Sequence, residues 1–595
     1  MAEKIVSPGV FTQENDLSFV PQGVANIGAA LIGPTVKGMA NVPTVVSSFA
    51  DYSAKFGTTF ESASDSYEYL TSLAAEQYLA HNGTLTVVRA LSGSFSPASS
   101  SYSGSVSGIQ DGIPNSSSVL GHATNFTASF KLKTLGDGAV ENSEGSEGTN
   151  GILNSGTQNN LRWEIANVNH NTGTFTLLVR RGDDTHNQKI ILETWNDLSL
   201  DPKSNNYISK VIGDQDYVVQ DVATADPFLQ LSGSYRNKSS FVRVASVTTN
   251  LVDYLDKNGN TASSDYTASL PHTTSGISGS FAGGSDGALK AAPKFFEDIS
   301  DGNSQGYDPD GQGSPYTTAL YLLKNQDLYD INMIMMPGIT QANDSGTTNL
   351  AKTVCEDRGD CFFLVDPVNH GTTSLATVAG KSDELITSYG AMYWPWVKIF
   401  ASRLGKNVWV PASVVMGGVI AFNDKVAAEW YAPAGLTRGG IGAAIQAERG
   451  LSHANRDTLY SSRINPLATF PGQGVVVWGQ KTLQKRPTAL DRVNVRRLLI
   501  NLKKFIASTT KYLVFENNTT QTRNRFLSTV NPYMESVQQQ QGLYAFRVIM
   551  DESNNTPDLI DRNIMKGEIF IQPAKAAEFI VVDFNIMPTG ATFGD

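Results

Sequence analysis

The runs DINMIMMP at 330–337 and CFFLVDP at 361–367 decide the fold of this chain. Neither alternates apolar with polar residues, as a strand with one wet face does. A strand that is apolar at nearly every position is buried on both faces, the condition of a parallel sheet covered by helices on each side. The intervening sequence agrees. A helical stretch reaching Asp357 follows the first run, and SLATVAGKSDELITSYG at 374–390 follows the second. AMYWPWVKIF at 391–400 and NVWVPAS at 407–413 supply two further strands. Strands alternating with helices in this way predict an α/β unit over 285–484.

The same architecture starts much earlier. IGAALIGPTVKG at 27–38 reads as a strand ending in a Gly-Pro turn, and TLTVVRAL at 84–91 as a buried strand. Between them DSYEYLTSLAAEQYLAHNG at 65–83 predicts a helix with Leu70, Ala74 and Tyr78 on one face, capped by Asp65 and stopped at Gly83. Residues 21–90 are therefore the first part of the α/β unit. Residues 91–284 change character: Ser, Gly, Asn and Thr dominate, and ENSEGSEGTNG at 141–151 is low-complexity loop. Short strand-like runs stand out from it: FTASFKLKTL (126–135), LRWEIANV (161–168), TFTLLVRR (174–181), QKIILETW (188–195) and SSFVRVASV (239–247). NHNTGT at 169–174 is a turn signature between two of them. This region predicts one β-rich domain, or two small ones, inserted into the α/β unit. Gly283, Gly284, Asp286 and Gly287 at its end read as a simple turn.

A chain of 595 residues is too long for one core; at about 150 residues per domain it holds roughly three to four. Hydrophobic residues at 40% and charged residues at 17% fit packed cores and exclude wholesale disorder. The net charge of −11 argues against nucleic acid as a main partner, because neutralising phosphates needs a basic surface. No run of about 18 apolar residues suits a bilayer, and MAEKIVSPGVFTQEN lacks the apolar stretch of a signal peptide. The expectation is a protein made in a cytoplasm, with no membrane partner. Residues 1–20 read as an extended arm after a Pro-Gly turn.

Residues 485–595 form the last unit. RVNVRRLLINLKKFI at 492–506 places Val495, Leu498, Leu499, Leu502, Phe505 and Ile506 on one helical face. FLSTVNPYMESVQQQQG at 526–542 reads as a second helix stopped at Gly542. LYAFRVIMD (543–551), GEIFIQP (567–573) and EFIVVDFNI (578–586) read as strands, the last with Ile580, Val582, Phe584 and Ile586 on one face. Nine cations lie between 481 and 515 against one acid, Asp491, in a chain that is otherwise acidic. Packing of the apolar stripe leaves Arg492, Arg496 and Lys503 projecting together, a seat for an acidic partner. The plain alternative is a solvated face.

Metal and cofactor chemistry find little support. Cys355 and Cys361 are the only cysteines, too few for a zinc site, and the motif spacing to Asp366 and His370 is wrong for one. They read as buried thiols flanking a strand. RGGIGAA at 438–444 lacks the third glycine and the preceding strand of a dinucleotide loop. YDPDGQG at 307–313 lacks the distal glutamate of a calcium loop. No cofactor is expected.

The order and wording of six segments add a different kind of information. They are YGAMYWPWVKIF (389–400), VWVPASVVMGGVIAFND (408–424), YAPAGLTRGGI (431–441), INPLATFPGQGVVVWGQKTL (464–483), VNVRRLLINLKKFI (493–506) and the stretch 542–584. Together they resemble the tail sheath family of contractile-tailed bacteriophages. Ser7, Pro8, Gly9 and Val10 match that family's start, and Pro433, Ala434, Gly435, Arg438 and Gly439 match a Pro-Ala-Gly-x-x-Arg-Gly stretch. The resemblance implies an α/β and α+β multidomain chain. Its middle domain is subtilisin-like, its β-rich insertion lies outermost, and its α+β inner domain polymerises through terminal arms. It implies a structural subunit, not an enzyme, that stacks on copies of itself around a tail tube and contracts to drive the tube through a host envelope. The tube, baseplate and tail terminator proteins are its implied partners, the virion tail its implied place, and the host cytoplasm its site of assembly. Arg492, Arg496 and Lys503 then face the tube, and Val10, Thr12, Ile580, Val582, Phe584 and Ile586 lie on the inter-subunit arms. Two other readings stand beside it. One is the sheath of a bacteriocin-type or secretion-type injection machine. The other is a subtilisin-fold hydrolase, since His370-Gly371-Thr372 matches that family's histidine motif; no Gly-Thr-Ser-x-Ala signature follows it, and a base without a nucleophile transfers no acyl group.

Overall fold

The two all-apolar runs lie side by side in the middle of an eight-stranded sheet, as strands Ile331–Thr340 and Phe362–Asp366. The computed structural model describes residues 28–62, 65–91, 93–107, 125–143, 145–148, 151–169, 174–221, 226–249, 277–287 and 315–580. Val10, Thr12, Val582, Phe584, Ile586 and the YDPDGQG stretch lie outside them. Edge to edge, the sheet runs Thr44–Val46, Leu85–Arg89, Gly28–Gly33, Ile331–Thr340, Phe362–Asp366, Gly390–Trp394, Ile464–Phe470 and Gly474–Val477. The six inner strands pair parallel and the two edge strands antiparallel. Strands from residues 28–89 and 331–477 thus share one sheet, although almost 200 residues of β-rich chain separate Arg89 from Asp286 in sequence.

Burial on both faces follows from the period-two alternation of side chains. Met333, Met335, Phe362 and Leu364 enter one core with Leu73 and Tyr78 of helix Leu70–Leu79 and Val415 and Val419 of helix Ala412–Val426. Ile334, Met336, Phe363 and Val365 enter the other with Leu320, Val354, Cys355 and Leu459. Each fully buried side chain of this size contributes about 1.5–3 kcal/mol relative to exposure. Gly417 and Gly418 let helix Ala412–Val426 close onto the first core. A Cβ on Gly417 would stand 2.4 Å from Met335 Sδ, and one on Gly418 2.8 Å from the Gln77 carbonyl oxygen.

Some local expectations change. Asp65 does not cap a helix; it opens the short strand Asp65–Glu68, and the helix starts only at Leu70 with Tyr69 as its cap residue. Pairing of Thr59–Ser62 with Asp65–Glu68 claims the residues that propensity assigned to the helix, and Glu68 is buried, accepting from Ser72 Oγ at 2.7 Å. The helix stops at Leu79 rather than running to Gly83. Val397–Ala401 and Lys406–Val410 leave the parallel sheet and form a separate antiparallel sheet with Ala444–Ala447. The reason is legible afterwards: Val397, Ile399 and Ala401 are buried while Lys398 and Phe400 are not, the alternation of a one-sided strand.

The insertion contains two four-stranded antiparallel sheets sharing one core, and a two-stranded sheet of Asp216–Gln220 with Phe228–Ser232. All five strand-like runs appear as strands within it. Trp163 meets Tyr102 and Phe130 edge-on at 6.3 and 5.7 Å between ring centroids. On another face Arg162 and Arg180 are buried with Asp184 and Glu164. Charges are tolerated in that interior because the guanidinium groups and carboxylates are paired and hydrogen-bonded to one another.

Residues 28–500 and 575–580 form one contact unit and 501–574 another, the boundary falling within helix Val493–Thr510. In the second unit helix Thr520–Gln539 begins at Thr520, not Phe526, because Thr519 caps it by accepting from the Thr522 amide. Phe526, Val530, Met534 and Val537 form its buried stripe. Strands Leu543–Ile549 and Glu568–Pro573 pair antiparallel as a two-stranded ribbon.

Candidate functional site

The basic segment is built differently from its sequence expectation. Arg492 precedes the helix. Its Nε and Nη2 donate to the two oxygens of Glu578 at 2.6 and 2.9 Å, and Nη1 pairs with Asp491 at 2.9 Å. Arg496 does not project: it is 4% exposed, its guanidinium stacked 4.0 Å over the Tyr389 ring and donating to Ser388 Oγ. Arg497, also interior, forms a two-pronged pair with Asp424 at 2.8 and 2.5 Å. Burial works to lower the Arg497 pKa, and the Asp424 carboxylate overrides it and raises it. Lys481 lies 4.2 Å over the Tyr460 ring and donates to the Tyr460 carbonyl. The expectation that Arg492, Arg496 and Lys503 project together is thus corrected. A half-turn error is enough: Val493, Val495, Leu498 and Ile500 are all buried, so the buried arc of the helix's first turns is wider than one stripe and takes Arg496 with it. Lys503 is exposed.

Glu578 was not singled out by sequence. It accepts from Arg492 twice, from Tyr460 Oη at 2.8 Å and from Gln480 Nε2 at 3.1 Å. Burial pushes its pKa up, but these donors outweigh it and hold the carboxyl below its usual range. It therefore pins the irregular segment 574–580. Phe579 and Ile580 follow it at 80% and 83% exposure, and Ile580 is not in a strand among the described residues. Only a lone glutamate in an apolar stretch marked this position in the sequence, which is no signal without the partners.

The 501–574 unit carries a two-stranded ribbon, Leu543–Ile549 with Glu568–Pro573. Its strands pair only with each other among the described residues, which leaves both outer edges without ladder partners there. Tyr544 and Phe570 stand 63% and 55% exposed on it. A two-stranded ribbon with open edges is a template for strand addition.

His370, the residue behind the hydrolase alternative, is arranged for packing. It lies between Trp396 and Trp409, with ring centroids 5.6 and 5.3 Å away, and its Nε2 is 3.7 Å from Glu448 Oε1. Ser413 does stand at the start of helix Ala412–Val426, but its hydroxyl and amide donate to Asp366 at 2.5 and 3.0 Å, all buried. Burial pushes the Asp366 pKa up to about 7 against those two donors. The Pro-Ala-Gly-x-x-Arg-Gly stretch holds a four-residue helix, Gly435–Arg438: Gly435 opens it at φ 85°, and Arg438 folds back 5.1 Å over the Tyr431 ring.

Asp286 is more than a turn residue. Arg89, 0% exposed, donates to Asp286 Oδ1 at 3.1 Å, to the Gly38 carbonyl at 2.8 Å and to the Asp137 carbonyl at 2.5 Å. One buried guanidinium thus ties two places in the inserted region to the first strands of the α/β unit.

Comparison with known proteins gives this geometry a context. Residues 313–483 match the phage tail sheath protein central domain, and residues 485–587 the phage tail sheath C-terminal domain. The tail sheath protein of Vibrio phage KVP40 is 41% identical over 190 residues, which is 32% of this chain and 28% of that protein. The tail sheath protein of Salmonella phage ViI is 34% identical over 284 residues, 47% of this chain and 44% of that protein. The chain thus spans less than half the length of these relatives. In fold it is similar to the sheath tail protein of Listeria innocua, with a TM-score of 0.52 over 93% of both chains at 11% identity. Residues 313–483 and 485–587 thus carry the two domains described for phage tail sheath proteins, the central one and the C-terminal one.

Proposed function

We propose that this chain is the structural subunit of a contractile tail sheath, polymerising around a tail tube in the virion and contracting to drive it through the host envelope. The observation that carries the reading is the open-edged ribbon Leu543–Ile549/Glu568–Pro573 in the domain matched as the sheath C-terminal domain. Subunits that slide over large distances without dissociating need contacts that survive motion. Main-chain ladders to an arm of a neighbouring copy do this, because the ladder holds while the chain leading into it bends. The arm we assign starts after Glu578, where the apolar alternation Ile580, Val582, Phe584 and Ile586 begins. The arm carrying Val10 and Thr12 is the second donor. Baseplate and terminator proteins cap the polymer, and of Arg492, Arg496 and Lys503 it is Lys503 that stands exposed to face the tube. The eight-stranded unit takes the role of the subtilisin-like middle domain, with the β-rich insertion outermost.

The test is a truncation placed by the structure. Removing 579–595 keeps the Glu578 clamp and every described strand. The expected product is a folded monomer that forms no tubes in negative-stain micrographs, whereas the full chain forms tubes or rings. Full-length tubes from the truncated protein would overturn strand exchange through this arm.

A further inference from the structure

The chain's two cysteines are in contact. Cys355 lies in the last turn of helix Ser345–Arg358 and Cys361 just before strand Phe362–Asp366, and their sulfurs are 3.2 Å apart with the Cys361 thiol donating to Cys355. In a chain of 595 residues with only these two thiols, their meeting is a specific arrangement. The turn between them is held from several sides. Gly359 caps the helix at φ 66°, with its amide donating to the Cys355 carbonyl at 2.9 Å. Arg358 grips Asp360 at 2.8 and 2.9 Å and donates to the carbonyls of Leu323 and Tyr329, while Gln326 donates to the Arg358 carbonyl at 2.7 Å. Both cysteines are 0% exposed.

We infer that Cys355 and Cys361 are a dithiol site that closes to an intramolecular disulfide when it meets a peroxide-class oxidant. A metal is the wrong occupant. Two thiolates on one zinc ion, each bonded at about 2.3 Å with tetrahedral angles, hold their sulfurs roughly 3.8 Å apart, and two protein ligands leave the ion incomplete. At 3.2 Å the sulfurs are closer than that, and a modest approach brings them to the bonding distance of about 2.05 Å. The chemistry balances with one peroxide. One thiol sulfur takes an oxygen from hydrogen peroxide, giving a sulfenic acid and one water. The second sulfur then attacks the first and expels hydroxide, which takes the attacker's proton and leaves as a second water. Two thiol protons and two electrons have passed to the peroxide. Burial, with Cys361 beside it, raises the Cys355 pKa, so the thiolate is scarce and the pair stays reduced where oxidant is low. Access requires local opening of the turn, which sets the rate rather than the outcome. The closed bond joins the end of a core helix to a central strand of the large sheet. This chemistry is independent of the sheath role.

The experiment uses the full chain, reduced and desalted, then treated with hydrogen peroxide both in buffer and in a sub-denaturing urea concentration that removes the access limit. Excess iodoacetamide under denaturing conditions then counts free thiols by intact mass. The expected result is loss of both alkylations, an intact mass lower by about 2 Da for the two hydrogens removed, monomeric migration without reductant, and full reversal by dithiothreitol. Cys361→Ser is expected instead to gain oxygen at Cys355 without cross-linking. Two alkylatable thiols remaining in the urea arm, oxygen addition without loss of both thiols, or an intermolecular dimer would each overturn the proposal.

Discussion

Removing Asp424 should unfold more of this protein than any exposed charge change in the same segment. Arg497 is 6% exposed, and its guanidinium is matched to the Asp424 carboxylate by two parallel hydrogen bonds at 2.8 and 2.5 Å, with a weaker one to the Glu429 carbonyl at 3.4 Å. Asp424→Ala leaves that charge in the interior with the Glu429 carbonyl and the weaker pull of the Glu429 carboxylate, and breaking a buried pair from one side costs about 3–5 kcal/mol. Arg497→Met leaves Asp424, whose side chain keeps 19% exposure and so recovers some water; a loss of about 1–3 kcal/mol is expected. Asp424→Ala with Arg497→Met removes both charges and keeps apolar bulk. It should lie within about 1–2 kcal/mol of the parent, because exchange of a buried pair for apolar packing is often nearly neutral. The assay is a double-mutant cycle by urea denaturation of the full chain, followed by circular dichroism, with the transition of the eight-stranded unit analysed separately. Raising salt from about 0.05 to 0.5 M should leave the coupling largely unchanged, since buried pairs are weakly screened. Additive single and double effects, or a coupling that disappears in salt, would refute the burial argument and restore Arg497 to the surface.

Asp366 gives a pH test. Its folded pKa is raised to about 7, above the unfolded value, so its contribution is fully present below the unfolded pKa and is lost as pH rises through about 7. Asp366→Asn, which keeps an acceptor for Ser413, should flatten that loss in melting temperature between acid and pH 8; an unchanged profile would assign the slope elsewhere. Asp286→Ala leaves Arg89 with carbonyl acceptors only and should cost about 1–3 kcal/mol, read as faster proteolysis of the β-rich insertion than of the α/β unit. Equal protection of both regions would show that Arg89 does not tie them. Replacing Cys355, Cys361 and His370 with Ser, Ser and Gln should leave tube formation intact, checked by negative-stain microscopy. Loss of tubes from a folded variant would give these side chains an assembly role.

What the sequence carried was whatever depends on local pattern. The runs at 330–337 and 361–367 declared a sheet buried on both faces, and the structure puts both in its middle. Five of the insertion's strands were legible from short apolar runs between turn residues, while others, such as Phe95–Ser107 and Ile277–Ser280, were not. Family wording over the last third pointed to the tail sheath family, and residues 313–483 and 485–587 match that family's central and C-terminal domains. What the sequence could not carry was pairing between distant positions. Asp65 was misread for a local reason instead: the hairpin with Thr59–Ser62, which ends three residues before it, claims residues that propensity assigned to the helix. Arg496 looked exposed because a helical period gives the direction of a side chain but not the width of the surface that covers it; Tyr389 and Ser388, over a hundred positions away, decide that. Glu578 and Asp286 looked incidental for the same reason: a carboxylate's role is set by which cations the fold brings to it, and Arg492 and Arg89 arrive from 86 and 197 residues away. Periodicity is written into neighbouring residues, whereas the partner of a buried charge exists only once the chain has folded.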